Sequence, residues 1–266
     1  MISKYFNPYT DFGFKKLFGE EASKDLLIDF LNQLLPPQHQ VAELSFKNPE
    51  NMADTSKERK AIFDLFCQSA TGERFIVEMQ KANMKYFKDR SLFYSTFPIR
   101  EQSEKGEWNF HLLPVYFVAI LNFKYDEKDE DGEVFYDKLH FKFLQMPLFN
   151  KQEHELETHF DKWVYFLKHL EDFDHIPAIL NEPIFQKGFD IAEVAHLSSE
   201  QYDAYLKSIL EYNEAKATLD MAFYEGKTEG KVEAMQSAAK VLKSQGIAVS
   251  VIALSTGLTE QEIESF

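Results

Sequence analysis

Hydrophobic positions along the chain change period several times, and each change marks an element. Thr10-Asp11-Phe12-Gly13-Phe14-Lys15-Lys16-Leu17-Phe18-Gly19 predicts a short helix capped by Thr10 or Asp11 and stopped at Gly19, with Phe14, Leu17 and Phe18 inward. Ser23 is expected to cap a second helix through Leu35, with Leu26, Leu27, Phe30, Leu31 and Leu34 as its apolar stripe and Pro36-Pro37 as its end. Val41 to Lys47 alternates as a strand, and 48–58 is polar and reads as a loop. From Ala61 to Gln80, two runs rich in β-branched and aromatic residues flank Ala70-Thr71-Gly72, the pattern of a β-hairpin. Met84 to Ser103 reads as a helix with Tyr86, Arg90, Phe93, Tyr94 and Phe97 on one face, kinked or ended by Pro98. Leu113 to Phe123 is apolar on both faces, as a central buried strand requires, and Lys138 to Gln145 alternates again.

Beyond Gln152 the period becomes helical. Leu156, Phe160, Trp163, Val164, Leu167 and Leu170 form one stripe, and further helices are expected around Ile191–His196 and Glu200–Phe223. Glu225-Gly226-Lys227-Thr228-Glu229-Gly230-Lys231 repeats glycine at a spacing of four, which predicts a helix of low intrinsic stability or a hinge. A helix resumes from Ala234 to Ser244. Val249 to Ile263 then resembles a helix-turn-helix, with Gly257 in the turn and Thr259 as cap. Its last helix offers Glu260, Glu262 and Glu264 where base reading needs basic or amide side chains, so packing or self-association is the expected role.

Composition narrows the class. The chain of 266 residues holds 26 phenylalanines, enough for a large aromatic core, and its single cysteine, Cys67, excludes an intramolecular disulfide. No apolar leader opens the chain, and the Leu112–Phe123 run is too short to span a bilayer, so a cytoplasmic protein without membrane association is expected. The net charge is −15, yet residues 1–125 carry 16 basic and 16 acidic side chains and are neutral; the remainder carries 13 basic against 28 acidic. That balance argues against a passive nucleic-acid coat, whose affinity comes from phosphate neutralisation by Lys and Arg. The acidic stretch 126–133 reads as a solvated turn without the ligand spacing of a calcium loop. His154, His159, His169, His175 and His196 lack ligand spacing and read as structural. No glycine-rich phosphate loop or nucleophilic triad is visible, so no small-molecule cofactor is expected.

The candidate chemistry sits on the hairpin. Asp64 and Glu78 are single carboxylates in apolar arms. A two-residue turn would put them on opposite faces. A three-residue loop, Ala70-Thr71-Gly72, with Gly72 left-handed and a bulge, pairs Asp64 with Glu78, and this is the register expected. Opposed residues have Cβ atoms about 5 Å apart, close enough to share a divalent cation. Two like charges so close oppose folding unless a cation lies between them, and hard oxygen donors suit Mg²⁺ or Mn²⁺. A structural acid pair is the alternative. Arg90 either stacks on Tyr86 or Tyr94 or points toward the carboxylates or a phosphate. Lys15 and Lys16 are solvated charges or phosphate contacts.

Three stretches together, Thr10 to Gly19, Asp64 with Ile76-Val77-Glu78-Met79-Gln80, and Arg90-Ser91-Leu92-Phe93-Tyr94-Ser95, resemble the recombination-promoting nuclease and putative transposase family of the PD-(D/E)xK (restriction-endonuclease-like) superfamily. The glycine repeat and Ala-Leu-Ser-Thr-Gly-Leu-Thr tail are similar to that family's as well. The resemblance implies an α/β fold, a mixed central sheet flanked by helices in the order αβββαβ, followed by an all-helical C-terminal region. It divides the chain into a nuclease-like core (1–150), a helical region packed on or beside it (151–224), and a tail of charged glycine repeat and small helices (225–266). It implies Mg²⁺-dependent cleavage of DNA linked to recombination or transposition, with Asp64, Glu78 and the Met79 carbonyl as metal ligands. Gln80 stands where the superfamily has lysine and Phe63 where it has proline. Gln80 and Arg90 are the further catalytic candidates, Lys15 and Lys16 the phosphate contacts, and Asp11 matches an N-terminal acid of the family. A homodimer would suit cutting of both strands. A nuclease-fold scaffold acting through its helical tail is the alternative.

Overall fold

The structure, a computed structural model, describes residues 3–47, 64–81, 86–103, 111–123 and 139–266. The expected loop at 48–58, Ala61 to Phe63 of the hairpin and the acidic turn at 126–133 lie outside them. Two compact units divide the chain, Met1–Tyr212 and Asn213–Phe266.

The first unit is built on a five-stranded sheet in sequence order: β1 (Leu44–Phe46), β2 (Leu65–Ser69), β3 (Arg74–Gln80), β4 (Val115–Leu121) and β5 (Leu139–Gln145). The pairs β1–β2 and β2–β3 are antiparallel, while β3–β4 and β4–β5 are parallel. The sheet is therefore mixed, and β3 and β4 are buried on both faces. The unbroken apolar run of β4 has that cause, since a strand covered on both sides has no polar face to alternate with, whereas β3 buries Arg74, Glu78 and Gln80 among its apolar residues.

Helices α1 (Asp11–Phe18), α2 (Lys24–Asn32), α4 (His159–His169) and α5 (Pro183–Ala192) contribute to the larger core with Leu65, Cys67, Phe75, Val77 and Met79 of the sheet. Phe18 stacks on Phe30 at 5.4 Å between ring centres, and Trp163 packs 5.8 Å from Phe18. The opposite face, Phe66, Ile76, Phe117 and Ala119, is covered by Phe87 and Phe97 of α3 (Phe87–Arg100). Alternation along each strand thus separates two cores.

The predicted elements hold with shifts at their ends. Thr10 caps α1 by accepting from Gly13 N–H, and Gly19 ends it. Ser23 does not cap α2 through its side chain; its hydroxyl donates to the Lys16 and Glu20 carbonyls instead, and a 3₁₀ turn, Glu21–Ser23, leads in. The expected face of α3 is rotated. Tyr86 and Phe93 are exposed, whereas Phe87, Ser91 and Ser95 are buried. The two serines satisfy their hydroxyls on the carbonyls four residues back, at 2.9 and 2.8 Å, and their small size lets the helix lie close to the sheet. Pro98 ends the helix gradually, with two residues following it. The helix expected at Ile191–His196 begins earlier, as α5, because Pro183 is suited to a first turn; Val194–His196 is a separate 3₁₀ turn.

Helix α6 (Ser199–Ser244) runs through the glycine repeat without a break. In the second unit, α7 (Val249–Thr256) ends at left-handed Gly257, and α8 (Glu260–Glu264) starts from a reciprocal Thr259–Glu262 capping box. Ala239, Ile252 and Ile263 form its small core.

Candidate active site

The hairpin has the three-residue loop. Leu65 pairs with Val77 and Phe66 with Ile76, and Ser69 N–H donates to the Glu73 carbonyl at 3.0 Å, leaving Ala70, Thr71 and Gly72 as the turn. Gly72 has φ +99°, a conformation open to glycine and strained for other residues. Continued by one residue, this register sets Asp64 opposite Glu78. Asp64 N–H donates to Glu78 Oε1 at 3.3 Å, and Met79 N–H donates to Asp64 Oδ2 at 2.7 Å. The Asp64 carboxylate thereby accepts from the β3 backbone near the C-terminal end of that strand.

Glu78 is only 4 % exposed and Asp64 is half-buried. Burial, and then the Asp64 charge, push the Glu78 carboxyl up to about 8, against the pull of Arg90 and Lys15. Burial also raises Asp64, with Asp11 adding to it and the Met79 hydrogen bond opposing. Lys15 and Lys81 act on Asp64 in the same lowering direction. Both readings of Arg90 hold together: its guanidinium lies 4.8 Å over the Tyr94 ring and its Nη2 is 4.0 Å from Glu78 Oε2.

Backbone direction leaves one carbonyl on the side of the acids. The Gln80 carbonyl accepts from Asn122 N–H beyond β4 at 3.1 Å, so the Met79 carbonyl, one residue earlier, faces the β2 side as its N–H does. Two carboxylates and one carbonyl fit a hard cation that keeps several waters. Among the described residues no group of three or more His, Cys, Asp or Glu converges on a metal position. The raised acids are the electrostatic complement to such an ion. Gln80 is buried on the same face as Glu78, two residues on.

A cleft of about 500 Å³ opens beside Asp64, lined by Asp11, Lys15 and Lys16 of α1 and by Lys47, Lys207 and Glu211 among others. Lys15 pairs with Asp11 at 2.9 Å and Lys16 with Glu20 at 3.0 Å, so both lysines are held along the cleft wall. Lys47, Lys207, Ser208 and Glu211 were not legible as site residues. The last three come from α6, docked by the Tyr205 hydroxyl accepting from Asn7 N–H and by Ser208 Oγ accepting from Phe12 N–H. Neither contact, across nearly 200 residues, has a local signature. The histidines stay structural where they are paired; His159 bridges Asp29 of α2 and Glu182 before α5.

A mixed sheet covered by helices, with acids closing the second and third strands and a helix crossing to a parallel fourth, defines a nuclease-type α/β class. The family model for PD-(D/E)XK nuclease family transposases matches residues 8–222, and the chain belongs to that family. Comparison with curated proteins and with solved structures returned no match. Members of this superfamily generally use divalent metals and act on DNA. No helix among the described residues is long and apolar enough to cross a membrane.

Proposed function

We propose that the protein is a metal-dependent DNA endonuclease serving recombination or transposition, with Asp64 and Glu78 at its centre. The observation that carries this reading is the opposed acid pair, buried Glu78 near the end of β3 and half-buried Asp64 facing it, both carboxyls raised and Asp64 lining a lysine-rich cleft. Asp64, Glu78 and the Met79 carbonyl would hold Mg²⁺ or Mn²⁺, which supplies positive charge for deprotonating the attacking water and for the charge building on the phosphate oxygens. Arg90 keeps Glu78 oriented and lends the pair positive charge from α3. Lys15 and Lys16 take the phosphate backbone along the cleft, with Asp11 holding Lys15 in place. Gln80 is neutral, so it positions a water without taking its proton.

The test is nicking of supercoiled plasmid by wild type and Asp64→Ala with EDTA, Mg²⁺ or Mn²⁺. Nicking that needs metal and is lost in the variant is the expected result; equal nicking by both sinks the assignment. The glutamine at position 80 favours a second reading, a scaffold that keeps the nuclease fold and works through its helical tail. No nicking together with no Asp64-dependent thermal shift in Mg²⁺ would select it.

A further inference from the structure

Two aromatic rings stand exposed on either side of Arg90. Tyr86, the cap residue before α3, is 66 % exposed, and Phe93 is 48 % exposed in a helix whose other aromatics pack inward or partly so. They lie one turn before and one turn after the arginine: Arg90 N–H donates to the Tyr86 carbonyl at 3.0 Å, and Phe93 follows Arg90 by three residues. Arg90 and Phe93 are neighbours on the surface of α3, Tyr86 caps the helix one turn before Arg90, and Arg90 reaches to Glu78.

Tyr86 is also the one non-glycine residue among those described with a positive φ, +68°. A bulky residue in the left-handed region is strained, and such strain gathers at ligand clamps. Asn or Gly would meet this backbone more easily. Here the turn carries a large exposed ring instead.

The charge around the rings selects an occupant. Helix α3 carries Lys88, Arg90 and Arg100 against Asp89 alone, a local positive excess in a chain of net charge −15. Exposed rings interleaved with cations suit a polyanion that also presents flat faces. A single strand of nucleic acid does both, whereas paired bases keep their faces stacked within the duplex.

We propose that Tyr86 and Phe93 form a stacking platform for unpaired bases next to the scissile phosphate, so that the preferred substrate is single-stranded or frayed DNA. This deepens the nuclease reading of the same site and rests on it. Arg90 is the joint between the two, touching the acid pair on one side and flanked by rings on the other.

The experiment is fluorescence anisotropy of a labelled single strand and of the same sequence as a blunt duplex, in EDTA, where nothing is cut. The full chain is compared with Tyr86→Asn, which removes the ring and suits a left-handed backbone, with Tyr86→Trp and with Phe93→Leu. Wild type is expected to bind the single strand tighter than the duplex. Tyr86→Asn and Phe93→Leu each weaken single-strand binding about tenfold, leave duplex binding near its original value, and keep the same salt dependence; Tyr86→Trp retains the affinity. Equal losses on both substrates, or no loss, overturn the platform. A concentration-dependent dimer lost in Phe93→Leu, with DNA binding unchanged, overturns it in favour of a contact between copies. Plasmid nicking run beside these measurements separates the two levels. Metal-dependent nicking that needs Asp64, alongside unaffected single-strand binding in the ring variants, removes the platform and leaves the nuclease. Absence of nicking and of binding to either DNA removes both.

Discussion

Replacing Glu78 with glutamine is expected to make the metal-free protein more stable. The amide side chain keeps the shape and an oxygen to accept from Asp64 N–H, as Glu78 Oε1 does at 3.3 Å, and it removes one of two facing charges. The carboxyl is held up to about 8 in the fold, by burial first and the Asp64 charge second. In the unfolded chain it titrates at about 4.3. An acid raised on folding penalises the native state as pH climbs from its unfolded value toward its folded one. At pH 7 the penalty is on the order of 1–3 kcal/mol, and glutamine escapes it. The assay is urea unfolding in EDTA between pH 5 and 8.5, followed by tryptophan fluorescence, since Trp163 is buried in the first unit's core. The wild-type midpoint is expected to fall across that range more steeply than the variant's, with the gap between them narrowest at pH 5. Saturating Mg²⁺ is expected to raise the wild type and not the variant. A variant less stable than wild type at pH 8, or parallel pH profiles, would refute the electrostatic reasoning.

Other regions give independent checks. Asp161 is buried, which would raise its carboxyl, but hydrogen bonds from Lys151 Nζ and from the Thr158 and Glu157 backbone outweigh that and hold it at about 2. Its contribution is therefore present above about pH 4 and lost as pH falls through about 2. Asp161→Asn is expected to cost about 1–2 kcal/mol at pH 7 and much less at pH 2, measured by thermal melting. Gly226 and Gly230 sit inside α6 with nothing within 4 Å of an added Cβ. Alanine at both is expected to add about 1–2 kcal/mol to that helix, read as a higher melting temperature by circular dichroism; a loss would mean a close contact at this stripe.

How much of this was legible in the sequence depended on the range of the cause. The hairpin register followed from Ala-Thr-Gly, because a glycine placed where the loop needs positive φ fixes which residues oppose each other. The face of α3 did not follow from its aromatics. Counting rings put Tyr86 and Phe93 inward, but close approach to the sheet rewards small residues whose hydroxyls are satisfied within the helix, and Ser91 and Ser95 took those positions. Continuity of α6 was also hidden, since two glycines lower helix propensity without dictating a break. The α6 side of the cleft was the least legible. Lys207, Ser208 and Glu211 become site residues through tertiary docking of Tyr205 and Ser208 onto the N-terminal segment, and pattern reading has no access to that.

Two local rules are broken at the same end of β3. Glu78 is a buried acid facing another acid, with the Arg90 guanidinium 4.0 Å away, and Tyr86, six residues past the strand, holds a bulky side chain at positive φ. Elsewhere in the first unit, acids are satisfied in the ordinary way, as Asp161 is by a lysine and by backbone N–H groups at its helix start, and Asp29 by His159 and Trp163. Natural folds carry such departures where binding or chemistry needs them. A scaffold would be served equally well by glutamine at position 78 and asparagine at position 86, both of which relax the fold. The facing acids and the ring held at positive φ are the two departures that the proposed metal-dependent action on single-stranded DNA accounts for together.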